Sequence, residues 1–164
     1  MSSTDIFEKK NYDISSLDDE IRADGLCDQL LKQCYLYLID IHRLGAEEAS
    51  RLCYGVSYFL REYLIPDRRA NLFDLAPQLI RQFAGNWYII KNMEPNLAEL
   101  TGILEGVVAF YDYLNHLQLI SRQLLEEVQH SCAELDYYQG RIESFLAIEK
   151  DGYFKWDDEC PLKS

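Results

Sequence analysis

The chain has 164 residues, a net charge of −12 and 48% apolar residues. A chain of that size suits one domain and buries roughly two-thirds of the surface its unfolded form exposes, so a disordered chain is excluded. Its acidity sets it against phosphate backbones and anionic lipid, so neither nucleic acid nor membrane is an expected partner.

The charge is uneven. Residues 1–28 hold 8 acids and 3 bases, residues 122–164 hold 10 acids and 5 bases, and 10 acids and 8 bases are left to the middle. Five cysteines, Cys27, Cys34, Cys53, Cys132 and Cys160, make an odd count without a C-x-x-C pair. Neither a disulfide framework nor a zinc cluster is expected from that. Cys34, Cys53 and Cys132 fall on apolar faces and read as small buried hydrophobes, and Cys160 reads as an exposed thiol in the tail. The first twenty residues lack an apolar signal region, and no apolar run reaches membrane-spanning length, so a cytoplasmic location is expected by elimination.

In chain order, residues 1–24 carry Asp5, Glu8, Asp13, Asp18, Asp19 and Glu20 with few apolar anchors, and read as an acidic, loosely ordered arm. A single helical domain is expected over 25–150 and an aromatic-acidic tail over 151–164. After Gly25, the spacing of Leu26, Leu30, Leu31, Cys34, Leu38 and Ile41 predicts a helix. Tyr35, Leu36, Tyr37 and Ile39 make it apolar nearly all round, the pattern of the most buried helix. Gly45 is its stop.

Ala46 to Leu64 is the next helix, with Glu47 and Glu48 in its first turn at the positive end of the dipole. Pro66 ends it and disfavours helical angles at Ile65. Arg68 and Arg69 follow in a loop near Arg61, as a small basic cluster. Asp74 and Pro77 open a third helix with Leu79, Ile80, Phe83, Trp87 and Ile90 on its face; Gly85 and Asn86 weaken its middle.

The centre of the chain runs from Leu97 to Phe145. Leu97, Leu100, Leu104, Val107, Val108, Tyr111 and Leu114 form one helical stripe. Ser121 caps a second long helix, whose stripe of Leu125, Val128, Cys132, Leu135, Ile142 and Phe145 is interrupted by Gln139. A short connection favours antiparallel packing of the two. No strand pattern occurs. The fold class expected is all-α: about five helices in an antiparallel bundle, with the acidic arm and the aromatic-acidic tail.

Two subtler patterns stand out. Gln29 to Cys34 parallels Gln78 to Phe83, and Glu48, Gly55, Val56 and Phe59 parallel Glu99, Gly106, Val107 and Phe110, at an offset of about fifty. Two helix hairpins of one design would produce this. Gly55, Gly102 and Gly106 lie inside helices, where each costs about 1 kcal/mol against Ala, which suggests close helix–helix approach within the fold.

Candidate chemistry is sparse. Glu127 and His130 form an E-x-x-H, which on a helix puts both side chains on one face, as metal ligands need. Asp112 and His116, four apart on the preceding helix, are the nearest partners for such a set. No second E-x-x-H exists, and ordinary surface polarity accounts for these residues as well. There is no G-x-S-x-G, P-loop or G-x-G-x-x-G, and thiols on apolar faces are inert. Nothing here commits the chain to catalysis, and no catalytic residue or cofactor is assigned. Aromatics such as Tyr35, Tyr54, Tyr58, Trp87 and Phe110 sit on helices that pack together; they read as core, with an interhelical ligand pocket as the alternative.

The expected function is therefore protein–protein interaction, as a small regulator or accessory subunit, with another protein or a second copy of the chain. Partner-binding candidates are Tyr153, Phe154 and Trp156 in the tail and Arg68 and Arg69 in the loop. A helical ligand- or metal-binding protein is the alternative, and an acidic antagonist mimicking nucleic acid for a DNA-binding protein is a third reading.

Overall fold

The computed structural model describes residues 5–148 and 156–159. Among these residues there are seven α-helices and no strand. They are α1 (Leu17–Asp40), α2 (Ala46–Ser57), α3 (Gln78–Gln82), α4 (Tyr88–Lys91), α5 (Leu97–His116), α6 (Arg122–Cys132) and α7 (Leu135–Leu146). Two π-helical stretches extend these rods. Tyr58–Leu64 continues α2, and Phe83–Trp87 joins α3 to α4. The two stretches share an aromatic cluster centred on Phe83, whose ring lies 5.1 Å from Phe59, 5.2 Å from Tyr63 and 5.6 Å from Trp87.

The first helix starts at Leu17 rather than after Gly25. Ser16 caps it by accepting from the Asp19 N–H, while Asp19 accepts from the Ser15 N–H and hydroxyl. This reciprocal pairing satisfies backbone donors that the helix start leaves open. Ahead of it, residues 5–16 are docked, not loose. Tyr12 is buried and its hydroxyl donates to the Ile6 carbonyl at 2.6 Å, with its ring edge-on to Phe73. Asn71 donates to the Lys9 carbonyl and to Asp13, and Arg22 donates to the Asn11 and Asp13 carbonyls. The C-terminal half of α1 is less buried than its composition implies, since Leu36 is exposed, and so is Ile41 just past its end.

The α2–α5 crossing is the tightest in the fold. A methyl group at Gly106 would stand 2.2 Å from the Leu52 carbonyl oxygen, and one at Gly55 would stand 2.9 Å from the Gly102 carbonyl oxygen and the Ile103 Cα. Backbone meets backbone at both places, so the close approach predicted for these glycines is real. Gly102 differs: its added methyl would meet only the Arg51 guanidinium, at 3.4 Å. The exchange is reciprocal, because Leu52 precedes Gly55 by three residues and Ile103 precedes Gly106 by three. The two halves of the sequence echo thus meet each other at the same pair of positions.

The second long helix of the expected pair is two helices. It breaks at Ala133 and Glu134, where ψ moves from −5° to 48°. Before the break α6 packs on α5, and after it α7 brings Tyr138 and Arg141 to Gly85 in the π-helical stretch. Arg81 holds the junction through Glu134 at 2.9 Å. At the end of the second helical rod, Ile65 keeps helical angles before Pro66, against expectation, with its N–H bonded to the Leu60 carbonyl at 2.9 Å. No helix of the described residues is long and apolar enough to cross a membrane.

Candidate functional site

The sequence candidates fall at four separate places. Glu127 and His130 are both exposed on α6. Glu127 accepts from Gln123 at 3.2 Å, and His130 lies 3.8 Å from Glu134, so the pair is spent on neighbours along the same segment. Asp112 and His116 stand elsewhere, near the end of α5. Asp112 accepts from the Tyr37 hydroxyl at 3.1 Å and lies 3.3 Å from the His42 Nε2, while the His116 ring packs on Tyr37. Burial and the Asp112 carboxylate push the Tyr37 hydroxyl up to about 12, so it serves as a donor at ordinary pH. Among the described residues, no three His, Cys, Asp or Glu side chains converge where they could hold a metal ion.

The basic loop turns back on the fold. Arg61 makes a two-pronged contact with Asp24 at 2.8 and 2.9 Å and reaches Asp28 at 3.1 Å. Arg69 pairs with Glu20 at 3.3 Å, and Arg68 binds the Tyr63 hydroxyl and lies over that ring. Arg68 and Arg69 are exposed, yet both are engaged with neighbours on the fold.

In the tail, Trp156 is buried at 2% exposure. Its ring lies 5.0 Å from Phe145 and 3.8 Å beneath the Arg141 guanidinium. Arg141 and Trp156 also exchange two hydrogen bonds, each through one side chain and the other's carbonyl, at 3.2 Å. This candidate closes the end of α7 instead of standing out from it. Tyr153, Phe154 and Cys160 lie outside the described residues.

The thiols on apolar faces sit as expected only in part. Cys27, Cys34 and Cys132 are buried, and Cys53 is half-buried. Burial pushes the Cys132 thiol up to about 12, which keeps it protonated and unreactive.

A feature not singled out from the sequence is a groove of about 710 Å³ running along α5. Thr101, Leu104, Glu105, Val108, Ala109 and Asp112 form its floor. Their spacing of three and four is one helical stripe, about 16 Å long at 1.5 Å per residue. One wall comes from Leu38, His42, Leu44, Glu48 and Leu52, and the other from Gln129, Cys132, Ala133 and Leu135 at the α6–α7 break. The break itself opens that wall, since a continuous helix would carry residues 133–135 on along the α6 axis. Val108 and Ala109 remain partly exposed although apolar. Leu104 is buried, as its place in the stripe requires, whereas Val108, on the same stripe, is not, because periodicity does not say which neighbour covers each face.

Three carboxylates line the groove, Glu48, Glu105 and Asp112. Arg51 bridges Glu48, at 2.6 Å, and Glu105, at 3.4 Å. Asp112 marks the far end of the floor, with His42 and the Tyr37 hydroxyl beside it. Among the described residues, no Lys or Arg lines the groove. The arrangement suits an apolar ligand surface with cationic flanks and disfavours an anionic one. No protein-family model, no curated protein and no solved structure matches this chain.

Proposed function

We propose that this chain is a protein-interaction module, a small cytoplasmic regulator or accessory subunit, and that it docks its partner along the α5 groove. The observation that carries the reading is the walled stripe along α5, where the apolar Val108 and Ala109 stay partly exposed between the carboxylates of Glu105 and Asp112. An interface needs an apolar centre within a polar rim, and this surface has that layout. The reading moves the interaction away from the tail tryptophan and the loop arginines, because Trp156 fills the α7 end and Arg68 and Arg69 engage their own neighbours.

A photo-crosslinking amino acid in place of Ala109 tests this in extract of the source cells, with the same group in place of Gln33, exposed on α1, as control. A discrete adduct from position 109 that is absent from position 33 is the expected result. An adduct of twice the chain's mass assigns the groove to a second copy. No adduct at 109, or the same adducts from both positions, overturns the proposal.

A further inference from the structure

The α5 groove has the length, width and charge to discriminate among partners, and this inference rests on its being the docking surface. A floor of three helical turns, about 16 Å long, matches the reach of one helix laid alongside. Between Glu105 and Asp112 the floor residues, Val108 and Ala109, are short, and Ala133 is the small residue of the facing wall. Helix axes approach to about 8–10 Å where the residues at the contact are small enough. Short side chains over this part of the floor therefore admit a helix rather than a flat loop surface.

Charge selects the kind of helix. Glu48, Glu105 and Asp112 line the groove, Arg51 pairs with the first two and His42 stands beside the third, and the chain as a whole carries −12. A second copy would bring like charge to this rim, and an acidic helix would do the same. We infer that the occupant is an amphipathic helix of a partner protein, with its apolar face on Val108 and Ala109 and Lys or Arg flanking that face. Such helix-in-groove docking reads the partner at positions three and four residues apart.

The test uses the full chain and a designed Leu/Lys amphipathic peptide of about 15 residues, the length at which an isolated helix becomes viable. Two companions carry Glu or Ser in place of Lys. Fluorescence anisotropy is measured against wild type, Ala109→Trp and the double variant Glu105→Gln/Asp112→Asn. Ala109→Trp fills the groove and keeps every charge; the double variant keeps the shape and removes charge. The Leu/Lys peptide is expected to bind about tenfold more weakly to Ala109→Trp and about threefold more weakly to the double variant. The Glu peptide is expected not to bind.

Equal binding of the Ser or Glu peptide, still blocked by Ala109→Trp, overturns the basic-helix inference and leaves the docking groove standing. Binding of the Leu/Lys peptide that Ala109→Trp does not weaken is attraction to the acidic surface at large, and sinks both. A concentration-dependent dimer abolished by Ala109→Trp gives the groove to a second copy and overturns the inference. Circular dichroism checks that Ala109→Trp retains its helices; if it does not, Thr101→Phe, at the other end of the stripe, takes its place.

Discussion

Helix α5 has two apolar faces, and they are used in opposite ways. At Gly106 the helix meets α2 so closely that no side chain fits between the backbones. About a third of a turn away, the stripe from Thr101 to Asp112 stays open at Val108 and Ala109 although both are apolar. Hydropathy does not separate the two faces. What separates them is the neighbour: α2 reaches the glycine face because Gly55 and Gly106 remove the side chains in the way, whereas the break at Ala133 and Glu134 holds back the wall that would cover the other. One face is therefore closed by backbone contact, and the other is left accessible at Val108 and Ala109.

The largest effect that would separate them is Gly106→Val. Its side chain must displace the Leu52 and Val56 backbone, so we expect a loss of about 3 kcal/mol in chemical denaturation, at the upper end of overpacking effects. A loss below about 0.5 kcal/mol would mean that the crossing is looser than described. Gly102→Ala should go the other way. Its methyl meets only the movable end of Arg51, so the helix-propensity gain of up to about 1 kcal/mol should appear as a higher midpoint with an unchanged slope. The contrast between two glycines one turn apart sharpens the claim that backbone contact, not glycine itself, marks the crossing. On the open face, Ala109 is half-buried and its added ring can extend into the groove, so Ala109→Trp should cost less than about 1 kcal/mol, while it blocks docking. A large destabilisation there would show the face to be structural.

The smallest effect is a pH dependence far from both faces. The Ser15 N–H and hydroxyl hold the Asp19 carboxyl down to about 2, below the ordinary carboxylate range. A depressed carboxyl contributes stability above its unfolded pKa and loses it as pH falls through the folded value. The gap in midpoint between wild type and Asp19→Ala should be full near neutral pH and should shrink as pH falls from about 4, the unfolded value, towards about 2. A gap that is constant over that range would deny the cap its charge.

Much of the fold was legible in the residues because helical periodicity is a local property. The cap at Ser121 follows from a hydroxyl placed ahead of an apolar stripe, and Asn96 caps α5 in the same way, by accepting from the Glu99 N–H. Leu100, Leu104, Val107, Tyr111 and Leu114 are all buried, as their spacing requires. The start of α1 was also written in the chain, as Ser16 followed by Asp19, but the exposed Leu17 and Ile21 hide it by setting apolar residues on the solvent side. The break at Ala133 was not legible, since Cys132 and Leu135 continue a helical spacing across it. Only the demand of the Gly85 region for Tyr138 and Arg141 turns α7 aside.

The candidate site was legible in composition and illegible in place. Asp112 and His116 do sit together with aromatic company, yet their partners are Tyr37 and His42, 75 and 70 residues from Asp112 in the Tyr37 and His42 contacts. Arg68 and Arg69 look like a basic docking patch until α1 brings Glu20, Asp24 and Asp28 alongside their loop and Arg61. Pairings of that separation depend on how helices cross, which no window of sequence contains.

The most direct measurement is an NMR titration of the labelled chain with the Leu/Lys peptide. The account predicts shift changes concentrated on the backbone amides of Thr101, Leu104, Val108, Ala109 and Asp112 and on the wall residues Leu44 and Leu135, with Gly55 and Gly106 unmoved. Changes centred instead on the acidic surface of α1, around Asp18, Asp24 and Asp28, or no changes at all, would contradict it.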